Sequence, residues 1–157
     1  MHTANSVSQV LAEEVAEIQN FTDLLKHEQA ALSVGNTEEL LEFADKKDKS
    51  AARINHLAEQ RNALLSAQGL PPDRPGIEAW CAQNPKETSA TTAWGTILTL
   101  AREARELNRL NGELIELRLQ FNSKALEALR GREATLDLYG PDGQSKNHEH
   151  RRINHAV

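Results

Sequence analysis

The chain has 157 residues, of which 39% are hydrophobic and 26% are charged, and only six are aromatic. This composition is too apolar for a disordered chain and too poor in aromatic and β-branched residues for a sheet-rich protein, so it predicts an all-α fold. The formal net charge of −5 argues against a dominant basic face and against nucleic-acid binding. The single cysteine, Cys81, excludes an intrachain disulfide and a multi-thiolate zinc site.

No targeting or membrane-spanning segment is visible in the sequence. The first residues lack a basic region followed by an apolar stretch, and no window is apolar for the length of a bilayer-spanning helix. We therefore expect a cytoplasmic protein that does not insert into the membrane.

The first predicted helix begins at Asn5 or Ser6, because both residues are good N-caps, and it ends before Gly35, which tolerates the left-handed conformation found after helices. Steps of three and four residues between apolar side chains predict one buried face. That face is formed by Val7, Val10, Leu11, Val15, Ile18, Phe21, Leu24, Leu25 and Leu32.

The second predicted helix begins at Asn36 or Thr37, with Glu39 at the capping-box distance from Asn36, and ends at Gly69. Because only two or three residues join it to the first helix, the two are expected to form an antiparallel hairpin.

The segment from Leu70 to Gly76 is rich in proline and interrupts the helical pattern. We expect a short helical turn at Ile77–Cys81, with Trp80 as its apolar anchor, and a loop through the Ser/Thr/Ala run at 88–93. A third long helix is predicted from Thr91 or Thr92 to Gly131.

These elements predict an elongated antiparallel bundle of three long helices, with a Pro-rich loop and short helix between the second and third. Residues 1–131 would form the helical bundle domain. Residues 132–157 would form a flexible, mostly disordered C-terminal arm, since their composition is polar and rich in histidine.

The sequence does not describe an enzyme, and we expect no catalytic residues, cofactor or metal. A di-metal site in a bundle needs Glu-x-x-His pairs, whereas His56 and Glu59 occur once and in the reverse order. The histidines around Glu149 in the arm are expected to bind metals adventitiously or not at all, because a disordered tail lacks supporting partners. Cys81 is expected to be an inert thiol.

Asparagines at 108, 111 and 122 of the third helix fall on a spacing that would otherwise be a coiled-coil seam. They allow two interpretations: a device that fixes helix register, or an open groove whose amides bind a partner.

Gly112 is unfavourable inside a helix. Its presence would be explained either by the close approach of another helix or by a local bend. The apolar patch Leu136–Tyr139 in the arm either folds back on the bundle or docks on a partner.

Several segments together resemble the FlgN-type flagellar secretion chaperones. They are Glu28–Gly35, Leu57–Arg61, Trp94, Leu107–Ile115 with its Asn-x-x-Asn-Gly element, and Thr135–Gln144 with its Leu-Tyr-Gly-x-x-Gly element, followed by a basic tail. The resemblance covers nearly the whole chain, although the segment Leu70–Ala93 departs from the family pattern.

The resemblance implies an ATP-independent chaperone that holds unpolymerised hook-filament junction (hook-associated) proteins by their C-terminal helical segments and delivers them to the flagellar type III export gate. It assigns Tyr139 to contact the cytoplasmic domain of the export gate, with Leu138, Gly140 and Gly143 shaping the same motif. The cargo-facing residues are expected on the third helix, at Leu107, Asn108, Asn111, Leu114, Ile115 and Phe121.

The competing hypothesis is a structural coiled-coil scaffold or adaptor that self-associates through the third helix. A scaffold should form a stable oligomer, whereas a chaperone should be monomeric or at most a weak homodimer that takes up cargo.

Overall fold

The structure, a computed structural model, describes residues 6–133, without the side chains at 125, 126 and 129–133. This part of the chain consists of four helices, α1 (Val7–Ser33), α2 (Leu40–Ala67), α3 (Asp73–Gln83) and α4 (Thr88–Glu133). The all-α prediction is confirmed. Contacts divide the chain into two units, Met1–Asn111 and Gly112–Val157, and α4 belongs to both.

The ends of α1 follow the local signals in the sequence. Ser6 is the N-cap, and its hydroxyl accepts from the Gln9 N–H while the Gln9 side chain accepts from the Ser6 N–H, which completes a capping box. At the other end Gly35 has a φ of 76°, and the Asn36 N–H donates to the Ala31 carbonyl. Both predicted boundaries of this helix are confirmed, and the C-terminal bonds are those of a Schellman motif.

The predicted start of α2 is wrong. The helix begins at Leu40, and its N-cap residue Glu39 makes no side-chain capping bond. Asn36 lies four residues before the first helical residue, too far along the chain to be the N-cap, and its backbone N–H belongs to the closing bonds of α1. The end of α2 is as expected, since Gly69 follows it with a φ of 73°.

Helices α1 and α2 form the predicted antiparallel hairpin. Glu14 near the start of α1 pairs with Arg61 near the end of α2, whereas Glu28 near the end of α1 pairs with Lys47 in the first half of α2. Helix α4 returns in the direction of α1, because Glu87 contacts Ser8 and Glu103 contacts Lys26. Successive long helices are therefore antiparallel.

Helix α3 is longer than the predicted turn at Ile77–Cys81. It begins at Asp73, within the segment expected to be non-helical. Pro75 lies in the first turn, where its missing N–H would have no intrahelical acceptor. Gly76 is required by a close approach, since a Cβ at this position would lie 1.7 Å from the carbonyl oxygen of Pro71.

Helix α4 begins at Thr88, so the expected loop at 88–93 is wrong. Ala90 is 1% exposed and lies in the main apolar cluster, and this burial outweighs the modest helix propensity of the neighbouring Ser and Thr residues. The helix also continues past Gly131 to Glu133. The predicted arm lies outside the described residues from 134 onward.

The main core lies at the end of the bundle that α3 covers. Ile77 and Trp80 of α3 are buried there, so Trp80 is the apolar anchor that the sequence predicts. The buried cluster consists of Val7, Leu11, Ile18, Leu65, Ile77, Trp80, Ala90, Ile97 and Leu100. Each fully buried large side chain contributes about 1.5–3 kcal/mol to folding, so α3 is an integral part of this unit.

Candidate functional site

The predicted cargo-facing residues on α4 differ in how accessible they are. Asn108 is exposed, Leu107, Leu114 and Ile115 are half-buried, and Phe121 is 66% exposed. Asn111 is only 1% exposed. Asn111 is therefore the one buried residue of the predicted set.

Asn111 does not present its amide to a groove. Its Nδ2 donates to the Leu25 carbonyl at 2.8 Å and to Oε1 of Glu28 at 2.9 Å, so both amide hydrogens are used against α1. In this structure the Asn111 amide is therefore used inside the bundle. The contacts favour the alternative, in which a buried asparagine fixes the position of one helix against another.

Glu28 connects the three long helices. Its side chain is 3% exposed, and Oε2 lies 2.9 Å from Nζ of Lys47 on α2, while Oε1 accepts from Asn111 on α4. A carboxylate that accepts from an ammonium and an amide is well compensated for its loss of water. We call Glu28, Lys47 and Asn111 the Glu28 cluster.

Immediately after this cluster, Gly112 is exposed, and a Cβ built on it would meet no atom within 4 Å. Within the part of the chain that the structure describes, the close approach of another helix does not explain the glycine. Beyond it, Leu117 is 60% exposed and Phe121 is 66% exposed, one turn apart on the same side of α4, with Leu114 half-buried one turn earlier. We call Leu114, Leu117 and Phe121 the distal stripe.

Leu117 is absent from the residues predicted for this surface. The sequence contained the signal, because Leu117 is three residues after Leu114 and four before Phe121. The predicted residues follow the asparagine spacing instead, which lies on a neighbouring face of the helix.

A second exposed apolar position is the turn between α1 and α2. Val34 is 79% exposed and Leu41 is 85% exposed. Val34 lines an open cavity of about 580 Å³, together with residues that include Ala30, Phe43 and Lys46.

The opposite end of the hairpin holds a buried charge cluster. Arg61 is 6% exposed and contacts Oε1 of Glu14, which is 2% exposed, and its Nη2 donates to Oδ1 of Asp73 at 3.1 Å. The guanidinium carbon also lies 5.8 Å from the ring centroid of Trp94. Burial raises the pKa of Glu14 above its ordinary value, and the charge of Arg61 opposes this shift. The cluster joins residues of all four helices.

Asp73 has an unusual backbone for a non-glycine residue, with a φ of 61°. Its N–H donates to Oδ1 of Asn62 at 2.9 Å, and its carboxylate accepts from Nδ2 of Asn62 at 3.1 Å. These two bonds and the Arg61 contact hold the first residue of α3 in a left-handed conformation, so the buried charges position α3.

Among the described residues no group of three His, Cys, Asp or Glu side chains could hold a metal ion. No helix in this part of the chain has the length and apolar character needed to cross a membrane. The predicted export-gate residues Leu138, Tyr139, Gly140 and Gly143 lie outside the described residues, as do the histidines of the arm.

The sequence model of one protein family, described as "FlgN protein", matches residues 1–147. The chain is 27% identical over 141 residues to "Flagella synthesis protein FlgN" of Salmonella typhimurium, which covers 88% of this chain and 89% of the relative. It is 26% identical over 140 residues to the protein of the same name from Proteus mirabilis, with 88% of each chain covered. No solved structure matches it significantly.

Proposed function

Since the chain belongs to the FlgN family of flagella synthesis proteins, we propose that it is a cytoplasmic export chaperone for flagellar hook-associated proteins. It binds their C-terminal helical segments, prevents premature polymerisation and delivers them to the flagellar type III export gate. The activity is binding without bond-making chemistry, and it needs no cofactor. The observation that carries the proposal is the distal stripe, where Leu117 and Phe121 are more than half exposed on one side of α4.

An amphipathic cargo helix is the partner that such a stripe fits. Cargo that assembles through helices exposes an apolar stripe of its own before assembly, and packing helix against helix covers both. Full burial of a Leu or Phe side chain is worth about 1.5–3 kcal/mol, so covering the exposed parts of Leu117 and Phe121 would contribute roughly 2–4 kcal/mol.

The second contact that we propose is with the cytoplasmic domain of the export gate. Tyr139 would supply the main contact area, because a tyrosine buries a large surface at a low cost in conformational entropy, and Leu138, Gly140 and Gly143 would shape its motif. Cargo and gate would then use different parts of the chain, so a loaded chaperone could dock without first releasing its cargo.

Calorimetric titration of the full chain with C-terminal peptides of hook-filament junction proteins tests both parts. The double variant Leu117→Ser/Phe121→Ser should weaken binding roughly 30- to 1000-fold, the loss expected for 2–4 kcal/mol. Val34→Ser/Leu41→Ser is the control, because it removes two apolar side chains at the α1–α2 turn that are even more exposed. Tyr139→Ala should leave cargo affinity unchanged and weaken binding of the export-gate domain.

Three results would contradict these assignments. Equal losses in the distal-stripe variant and the α1–α2 turn variant would refute the distal stripe as the cargo surface. Loss of cargo binding in Tyr139→Ala would refute the division between cargo and gate contacts. If the wild-type chain binds none of these peptides, the chaperone proposal fails.

A scaffold would cover the same distal stripe by self-association. Sedimentation equilibrium of the wild-type chain distinguishes the two functions, because a stable oligomer that dissociates in Leu117→Ser/Phe121→Ser would favour the scaffold.

A further inference from the structure

Helix α4 changes character abruptly between Asn111 and Gly112. Up to this point it contributes buried residues at regular intervals, namely Ala90, Ile97, Leu100, Ala104 and Asn111. Among the residues after Asn111 whose side chains the structure describes, none is fully buried.

The Glu28 cluster holds the last residue before this transition. Asn111 uses both hydrogens of its amide, one on the Leu25 carbonyl and one on the Glu28 carboxylate. Hydrogen bonds to an ionised acceptor are stronger than neutral ones, and the burial of this acceptor protects them from competition by water. The first part of α4 is therefore fixed to α1 up to Asn111.

Among residues 6–133 no packing contact of Gly112 requires a glycine. Its φ is not in the left-handed region, and the position of a Cβ is open. A glycine here does weaken the helix itself, relative to an alanine at the same position.

We infer that Asn111 and Gly112 form a joint in α4, at which the segment Gly112–Lys124 opens as a local unit while the preceding part stays docked. The same segment carries the distal stripe, so a partner helix that covers the stripe would order it. The joint itself follows from the unbound chain, whereas the ordering by cargo rests on the proposed function. Ordering on binding lowers affinity and eases release, which suits a partner that must be handed on.

Hydrogen exchange of the full, unbound chain tests the joint. Gly112→Ala adds one methyl group in open space and should increase protection of the amides at 113–124 uniformly, by up to about fivefold, the equivalent of about 1 kcal/mol. Gly95→Ala is the matched control, because Gly95 lies in the docked part of the same helix and its Cβ position is also open. Gly95→Ala should leave protection at 113–124 unchanged.

Other exchange patterns would overturn the joint. Equal gains at 113–124 in both variants would mean that α4 opens only as a whole. A gain confined to the amides within one turn of Gly112 would mean that no local unit exists, and the absence of any gain would have the same consequence.

Peptide titration of the same chains tests the ordering step. Gly112→Ala should bind cargo peptide up to about fivefold more tightly, because part of the ordering is already complete, and Gly95→Ala should bind as the wild type does. Weaker or unchanged binding by Gly112→Ala would overturn the ordering. Absence of binding in all three chains would refute the proposed function, and the exchange data would still decide the joint.

Discussion

Removal of Arg61 is the most informative perturbation of the fold, because this one side chain neutralises a buried carboxylate. The variant Arg61→Met keeps a long apolar side chain but loses the contact to Glu14, the bond to Asp73 and the cation–π contact with Trp94. Oε2 of Glu14 is already buried without a hydrogen-bond partner among the described residues. In the variant, neither oxygen of Glu14 would have its present counter-charge.

The expected loss is about 3–5 kcal/mol, the range found when one partner of a buried ion pair is removed. Most of it comes from Glu14, which is 2% exposed, since the Asp73 side chain is 69% exposed and an exposed pair contributes about 0–1 kcal/mol. For a chain of this size the loss corresponds to a decrease in melting temperature of roughly 6–20 °C.

The loss should also depend on pH. Burial already raises the pKa of Glu14, and without Arg61 that pKa rises further. Below the ordinary value of 4.5 the carboxyl is protonated in both the folded and unfolded chains, so it carries no penalty. Above that value the unfolded chain releases its proton first, so the free energy of unfolding decreases with rising pH until the folded pKa is passed.

Urea unfolding followed by circular dichroism, from pH 4.5 to pH 8, measures both effects. The double variant Glu14→Met/Arg61→Met should recover most of the stability and remove the additional pH dependence, because neither charge of this buried pair remains. Arg74→Met is the surface control, since Arg74 and Glu78 form an exposed pair one turn apart and its loss should change stability by less than about 0.5 kcal/mol. If Arg61→Met destabilises the chain no more than Arg74→Met, the reasoning about the buried pair is wrong.

Two further predictions concern the packing of α4 and α3. Asn111→Ala should destabilise the chain by about 1–3 kcal/mol in urea unfolding, because the Glu28 carboxylate and the Leu25 carbonyl each lose a buried donor. The control is Asn108→Ala, which removes an exposed side chain and should change stability by less than about 0.5 kcal/mol. Similar effects of the two variants would contradict the Glu28 cluster. Gly76→Ala should lower the melting temperature, because the added Cβ would collide with the Pro71 carbonyl. Gly95→Ala should raise the melting temperature slightly, because the Cβ position there is open. If Gly76→Ala does not lower the melting temperature, α3 does not pack as described.

Local sequence was sufficient for the ends of the hairpin helices that depend on residues within one turn. Ser6 with Gln9, and the glycines at 35 and 69, determine their own backbone conformations through capping bonds and freedom at positive φ. The periodicity of apolar residues likewise determined that three long helices form. The short connection between the first two determined that they form a hairpin. Membership of the FlgN family could also be expected from motifs spread along the chain.

Tertiary contacts decided the elements whose local signals were weak or contradictory. The segment from Asp73 contains a proline and a glycine, so its sequence predicts a loop. It is helical because Ile77 and Trp80 are buried in the core. Arg61 and Asn62 also hold its first residue, Asp73, in place. The Ser/Thr run at the start of α4 is helical because Ala90 is buried. In both cases the burial of a few apolar side chains outweighs backbone preference.

The same distinction applies to the candidate site. Periodicity placed the asparagines on one stripe of α4. It does not show whether that stripe faces another helix or the solvent, because this depends on how the helices pack. Packing against α1 turned Asn111 inward to Glu28 and left Leu117 and Phe121 exposed. The sequence by itself determined the fold class, the three long helices, the caps of α1 and the family, since these depend on neighbours along the chain and on shared motifs. Only the tertiary structure decided which charges are paired and which apolar side chains stay open, because both depend on groups that are far apart in the sequence and meet only when the helices pack.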